Sequence, residues 1–224
     1  MIPEPAVNIW AHTKSSLYPL YEKRAAGQAE EMDCHVQAAE IYRPHYKPEY
    51  RVLDAGGGSG YFYWSLARRS LLGDYYLLDY TEDFVEMARR HLGGLLAPER
   101  FMWSSIEETP GVYDIVFCLN TLFCLPDYRQ GLERLLAAAG EMLILRSTFA
   151  DKTQIRYETD DFLDPEARGL KSYFNIWPMD EVAGFMRGCG FEVTTVLDQR
   201  TGDKPEISAG KPFPWRWLIA RRLG

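Results

Sequence analysis

Residues 52–61 read VLDAGGGSGY, an apolar run, the carboxylate of Asp54, then four glycines within five positions before Tyr61. Glycine at this density marks backbone that turns tightly or lies against a ligand. Two phosphate-binding readings fail on the residues that follow. A triphosphate loop needs a Lys-Ser or Lys-Thr pair after its last glycine, and Tyr61 and Phe62 stand there. A dinucleotide loop reads GxGxxG, which lets a helix N-terminus face a pyrophosphate. Aligning Gly56 and Gly58 with that pattern puts Tyr61 where the third glycine belongs.

A loop of this kind works only between a strand and a helix, and the surrounding chain supplies both. RVLDA (51–55) reads as a strand and YFYWSLARRS (61–70) as a helix with cations in its last turn. DYYLLDY (74–80), ERFMWSS (99–105), YDIVFCLN (113–120) and EMLILRS (141–147) read as further strands. TEDFVEMARRHLGG (81–94) is an amphipathic helix with Thr81 at its N-cap. PDYRQGLERLLAAAG (126–140) is a helix opened by Pro126. Strands alternating with helices predict βαβ units, hence a doubly wound α/β fold with a mostly parallel sheet.

The alternation stops at 148–177, which is rich in acids and aromatics and has no period. Beyond it, 178–190 reads as a helix, and 191–199 and 214–223 as strands with no helix between them, so an antiparallel pair is expected. Residues 1–47 carry helical spacing around 15–32 and 34–42 and are expected to form a helical cap. The expected organisation is a cap over 1–47 and a Rossmann-like domain over 48–224, interrupted by an insertion at 148–177.

The spacing that the loop does satisfy is DxGxGxG, in Asp54, Gly56, Gly58 and Gly60. It resembles motif I of the class I S-adenosylmethionine-dependent methyltransferases. YDIVFCLNTLFCLPD resembles the same family's fourth-strand segment, and the final strand pair resembles its seven-stranded sheet with a reversed last strand. The resemblance implies S-adenosyl-L-methionine as cofactor, a ligand that carries an ammonium and a sulfonium and no phosphate. The Asp54 carboxylate suits that positive charge; its plain alternative is a side chain that only caps the loop. Asp79, which ends the second strand 19 residues beyond Gly60, is placed to accept the ribose hydroxyls, or is merely a neighbour of the Thr81 cap. Tyr80 stacks near the adenine or packs on the following helix. Many family members put an Asp after the third strand to meet the adenine amino group; here Ser105 stands in that place, its hydroxyl a weaker acceptor for the same bond, with Ser105 and Ile106 backbone groups as further contacts. The Leu119 backbone is placed to meet the ammonium.

Methyl transfer needs alignment and exclusion of water more than a catalytic triad. Asn120 lies at the carboxyl end of the fourth strand, where parallel sheets hold ligands, and is both a cofactor-binding and the first catalytic candidate, with turn capping as the alternative. Phe123 faces substrate or belongs to the core. A base for oxygen methylation would come from His12 or His35 in the cap. Arg146, Asp151, Tyr157, Asp160 and Asp161 flank or occupy the insertion and form either a solvated acidic loop or a lid.

A formal charge of −7 argues against a general nucleic-acid binder. The D/N-P-P-Y tetrad of nucleic-acid amino-methylation and a Pro-Cys nucleophile are missing, which favours a small-molecule acceptor on oxygen or nitrogen. The four cysteines form no CxxC pair, so no metal site is expected. The N-terminus lacks the apolar core of a signal peptide and no apolar run approaches the roughly 20 residues of a membrane span, so a cytoplasmic protein is expected. Oligomeric state is left open. Two other functions stay open: an adenosylmethionine-binding protein without turnover, and a nicotinamide-dependent oxidoreductase, against which stand the failed GxGxxG and the lack of any YxxxK pair.

Overall fold

A computed structural model describes residues 7–160, 162–208 and 210–224. Asp161, one of the insertion candidates, lies outside the described residues, as do residues 1–6 of the cap. Seven strands form the main sheet: β1 (Arg51–Ala55), β2 (Asp74–Asp79), β3 (Phe101–Trp103), β4 (Tyr113–Leu119), β5 (Ala139–Ala150), β6 (Phe191–Leu197) and β7 (Trp215–Arg222). Their order across the sheet is β3-β2-β1-β4-β5-β7-β6. All neighbours are parallel except β7, which runs antiparallel to both β5 and β6. The order reverses between β1 and β4, so the carboxyl ends of these two strands flank the crevice where open α/β sheets take ligands.

Among the described residues the α-helices are α1 (Tyr18–Ala25), α2 (Asp33–Tyr42), α3 (Phe62–Ala67), α4 (Glu82–Leu92), α5 (Arg129–Ala138) and α6 (Met179–Gly188). α4 shows why the sequence is helical here. Phe84, Val85, Met87, Ala88 and Leu92 share its buried face, with acids in the first turn and cations in the last. Thr81 occupies the N-cap position but makes no side-chain cap bond; its N–H donates instead to Asp79 Oδ1 at 2.7 Å.

β1, β2 and β4 are buried on both faces, and the apolar side chains above and below them form two cores. The cap is fastened to the second core by one buried amide. Gln37 on α2 accepts from the indole N–H of Trp217 (3.0 Å) and the N–H of Gln199 (2.9 Å), and donates to the Leu197 carbonyl (2.7 Å). Stranding these buried groups would cost on the order of 1–3 kcal/mol each.

Several boundaries differ from the sequence expectation: the third strand, expected over 99–105, spans Phe101–Trp103, and the helix expected over 126–140 spans Arg129–Ala138; those of β5 matter most for the site. β5 begins at Ala139 and runs to Ala150, where 141–147 was expected. The Ala-Ala-Ala-Gly run suits a helix end and a strand start equally, and the tip is held as strand by pairing of Thr148 with Trp215. The insertion therefore starts inside β5. It has little regular structure: Tyr157–Glu158 pairs with Ser172–Tyr173, and Trp177–Pro178 joins the tip of β5. A short hairpin, Glu206–Ser208 with Lys211–Phe213, fills the connection between β6 and β7 and carries no signal in the alternation of the sequence.

Candidate functional site

The glycine loop joins β1 to α3 and folds back under the end of β2. Gly56 and Gly57 donate to the Leu78 carbonyl at 2.7 and 3.2 Å. Gly56 has φ +75°, and a Cβ there would collide with the side chain of Thr121. Gly58 has φ +58° and faces the rings of Tyr21 and Tyr61, each 3.6 Å from where its Cβ would be. Both positions need glycine for conformation, and the first for space as well.

Asp79 is 8% exposed. Its Oδ2 accepts from Gly58 N–H at 2.8 Å and its Oδ1 from Thr81 N–H at 2.7 Å. Burial pushes its carboxyl up, and the two N–H bonds pull the other way. Each oxygen keeps a lone pair after these bonds, so the carboxylate has the two acceptors that a ribose diol requires.

Asp54 sits differently. It is 2% exposed, and the Tyr75 hydroxyl donates to its Oδ2 at 2.6 Å. The same oxygen lies where a Cβ on Gly57 would be. Burial pushes its carboxyl up to about 7, against the pull of Tyr75. The side chain supports the loop by filling the space behind Gly57.

Tyr80 and Trp103, at the ends of β2 and β3, are 57% and 58% exposed. The Trp103 indole donates to the Tyr80 carbonyl at 3.1 Å. Ser105 opens a 3-10 turn, Ile106–Glu108. Ile106 is buried against Gly131 in the core, so only its backbone can face a ligand. The Ser105 and Ile106 carbonyls are taken by Glu108 and Thr109.

At the end of β4, Asn120 adopts φ +59°, a left-handed conformation that Asn tolerates better than most residues. Its Oδ1 accepts from Arg146 Nη1, and its Nδ2 lies 3.8 Å from Cys34 Sγ. Arg146 is 4% exposed, donates from Nε to Asp198 Oδ2 at 2.7 Å, and lies 4.2 Å over the Trp215 ring. Asn120, Arg146, Cys34 and Trp215 line an open cavity of about 600 Å³, bordered also by α1, the segment 29–34 and the 206–213 hairpin. Thr121 Oγ1 lies 3.4 Å from the Gly56 carbonyl. Consecutive residues of one strand end thus touch the cavity and the glycine loop. Leu119, just before them, is 7% exposed, and its carbonyl is 3.4 Å from Thr121 Oγ1.

Neither histidine has the setting of a base. His12 is exposed, and its carbonyl accepts from Asp164 N–H. His35 is buried against Tyr61 (4.4 Å between ring centres) and Phe62, and burial pushes it down to about 3. Phe123 is core, packed with Phe174, Phe213 and Trp215. Of the insertion's acids, Asp151 is exposed, whereas Asp164 is 4% exposed and accepts from Ser15 N–H, Ser15 Oγ and Ser16 N–H at 3.0, 2.6 and 3.1 Å. The insertion holds down the cap. Tyr21, Arg24, Cys34, Trp103 and Asp198 escaped the sequence reading, because no motif or periodicity ties them to a strand end.

Residues 53–141 match the methyltransferase-domain family. The whole chain has the class I methyltransferase fold, as likeness to solved structures shows. Magnesium protoporphyrin IX methyltransferase of Synechocystis PCC 6803, with bound S-adenosylmethionine, superposes with a TM-score of 0.63 at 19% identity, over 98% of this chain and 100% of that one. The Burkholderia thailandensis 1,6-didemethyltoxoflavin-N1-methyltransferase, with 1,6-didemethyltoxoflavin and S-adenosylhomocysteine bound, gives 0.56 at 17% identity, over 100% and 94%. The CcbJ methyltransferase of Streptomyces caelestis gives 0.58 at 14% identity, over 96% and 99%. No curated protein matches the chain in sequence. No helix among the described residues is long and apolar enough to cross a membrane.

Proposed function

We propose that this protein is an S-adenosylmethionine-dependent methyltransferase whose acceptor is a small molecule bound in the cavity beside Asn120. The observation that carries the proposal is the end of β4, where Asn120 lines the cavity and Thr121 packs on Gly56 of the loop. Donor and acceptor sites are thereby one residue apart. The fit to the donor rests on the loop, whose positive-φ glycines leave its backbone free to lie against a ligand, and on Asp79, with one lone pair free on each oxygen.

When bound, adenosylmethionine supplies a methyl group on a sulfonium, open to in-line displacement. Asp79 holds the ribose, and Gly56, Gly58 and Gly60 shape the bed for the rest of the molecule. Tyr80 borders the adenine, with backbone N–H groups of Ser105 and Ile106 in reach of the ring. The Leu119 carbonyl faces the ammonium. Asp54 acts through the loop, which it props from behind. Asn120 orients the acceptor, its amide fixed by Arg146 so that Nδ2 is the donor left for a ligand. The cap and hairpin border the acceptor and limit its contact with water. A cavity of this size and a formal charge of −7 support a small acceptor over a nucleic acid, and the function is compatible with the cytoplasm.

Calorimetry tests the donor. Adenosylhomocysteine should bind and NAD should not; the reverse selectivity would favour the oxidoreductase reading. Transfer of labelled methyl to a component of a metabolite extract should follow, and binding without any transfer would mark a protein that only senses the cofactor.

A further inference from the structure

The cavity's charged side chains are almost all matched. Glu31 pairs with Arg69 at 2.6 Å, and Glu206 with Arg200 at 2.8 Å and the Trp215 indole at 2.8 Å. Arg146 pairs with Asp198, while Asp33 and Glu30 are exposed, Asp33 at 3.9 Å from Arg200. Arg24 stands apart. Among the described residues it has no ion pair, and its Nε is buried without a hydrogen-bond acceptor. Its guanidinium is fixed instead by two rings, 5.3 Å from the centre of Tyr21 and 5.0 Å from that of Tyr61. A buried donor without an acceptor is costly, the more so on a charged group, and an arginine held in one orientation by aromatic faces is suited to a planar anion.

Position narrows the ligand. Arg24 lines the cavity on the α1 side, while Asn120 and Arg146 line it from the sheet, and Phe213 and Trp215 add aromatic wall. The Asn120 carbonyl oxygen is engaged by Arg146, so Asn120 too presents a donor. A ligand meeting both needs acceptor oxygens and a flat apolar body. We propose that the methyl acceptor is a small carboxylate with an aromatic or similarly planar body, and that Arg24 receives its carboxylate. The proposal rests on the methyl-transfer reading above and names the acceptor class of that same site.

Benzoate, benzamide and benzylamine, titrated calorimetrically into protein saturated with adenosylhomocysteine, test this. Benzoate should bind about tenfold or more tightly than benzamide, as expected for a charge-assisted contact, and benzylamine should be weakest. Arg24→Gln should erase the preference for benzoate while adenosylhomocysteine affinity stays within about twofold; Arg24→Lys should keep part of it, and melting curves confirm that both variants fold. Equal binding of benzoate and benzamide, binding of none of the three, or preference for the amine overturns the assignment. So does a tenfold loss of adenosylhomocysteine affinity in Arg24→Gln with 5′-methylthioadenosine unaffected, since Arg24 would then serve the donor's own carboxylate. Wild-type protein that binds no adenosylhomocysteine would sink the methyltransferase reading instead, and the same three probes on unliganded protein would still decide the cavity's preference.

Discussion

Around the glycine loop, most of the hydrogen bonds are between residues close in sequence, with Tyr21 and Thr121 as the distant partners. Asp79 bonds Gly58 and Thr81, Asp54 bonds Tyr75, and the loop amides bond Leu78, all within one β1-α3-β2 unit. Around the cavity the partners are far apart. Asn120 meets Cys34 across 86 residues, and Arg146 meets Asp198 across 52. The first region is a local unit that a domain family can carry as a block. The second is assembled from the cap, β5, Arg200 and the hairpin, all outside the matched 53–141, around Asn120 from inside it. Substitutions on the two sides should therefore separate cofactor binding from acceptor binding.

The sharpest break is expected at Gly56. Gly56→Ala must hold a left-handed conformation, which costs about 1–2 kcal/mol, and must also displace Thr121. A melting temperature several degrees lower and adenosylhomocysteine binding weaker by about a hundredfold are expected, since loop and strand end move together. Near-normal binding would mean that the loop is not the donor site. Next in size is Asp79→Ala, expected to weaken adenosylhomocysteine by about 1.5–3 kcal/mol, the range for hydrogen bonds to a charged group. Unchanged affinity in calorimetry would assign the ribose to another residue.

pH probes the two regions with opposite signs. Asp54 has its carboxyl raised from 3.8 to about 7, so the folded state holds a proton that the unfolded chain loses. Its contribution to stability is complete below about pH 4 and fades as pH rises to 7. His35 is lowered from 6.5 to about 3, so its contribution is complete above pH 6.5 and fades as pH falls toward 3. In urea denaturation between pH 4 and 6.5, Asp54→Asn should make stability rise more steeply with pH than in wild type. His35→Phe should make it rise less steeply. Each effect is at most a few kcal/mol across the window; parallel curves for either variant would show that its group is not held as described.

The same contrast explains what was legible in the sequence. The β1 strand, the glycine loop and the acid ending β2 are written in short apolar runs and turn chemistry, which need no distant information, and each element appears where it was expected. β5 was misjudged at both ends, because an Ala-Gly junction is ambiguous in helix and strand propensity and the tip depends on its pairing with β7. His35 looked like a candidate base because residue type alone does not report burial against Tyr61 and Phe62. Arg24 gave no signal at all, since its significance lies in a buried Nε without an acceptor between two rings, a property that exists only after α1 has docked on the loop.

The smallest expected effect tests whether the donor half is complete. At Ser105, the position where the family pattern has an Asp, the hydroxyl lies 3.5 Å from Glu107 Oε2, too long for a strong bond. If the adenine is met by backbone N–H groups at this turn, Ser105→Ala removes nothing that holds it. Adenosylhomocysteine affinity should then change by about 0.5 kcal/mol or less, the low end for a single hydrogen bond. A loss near 1.5 kcal/mol, about tenfold, would show that the hydroxyl itself replaces the missing carboxylate. Ser105→Asp separates the two further. A carboxylate accepting from the adenine amino group should tighten binding, whereas at a turn already carrying Glu107 and Glu108 an unpartnered third acid should weaken it through like-charge repulsion. The sign of that one change decides whether this protein dispenses with the family's adenine contact or makes it with a shorter side chain.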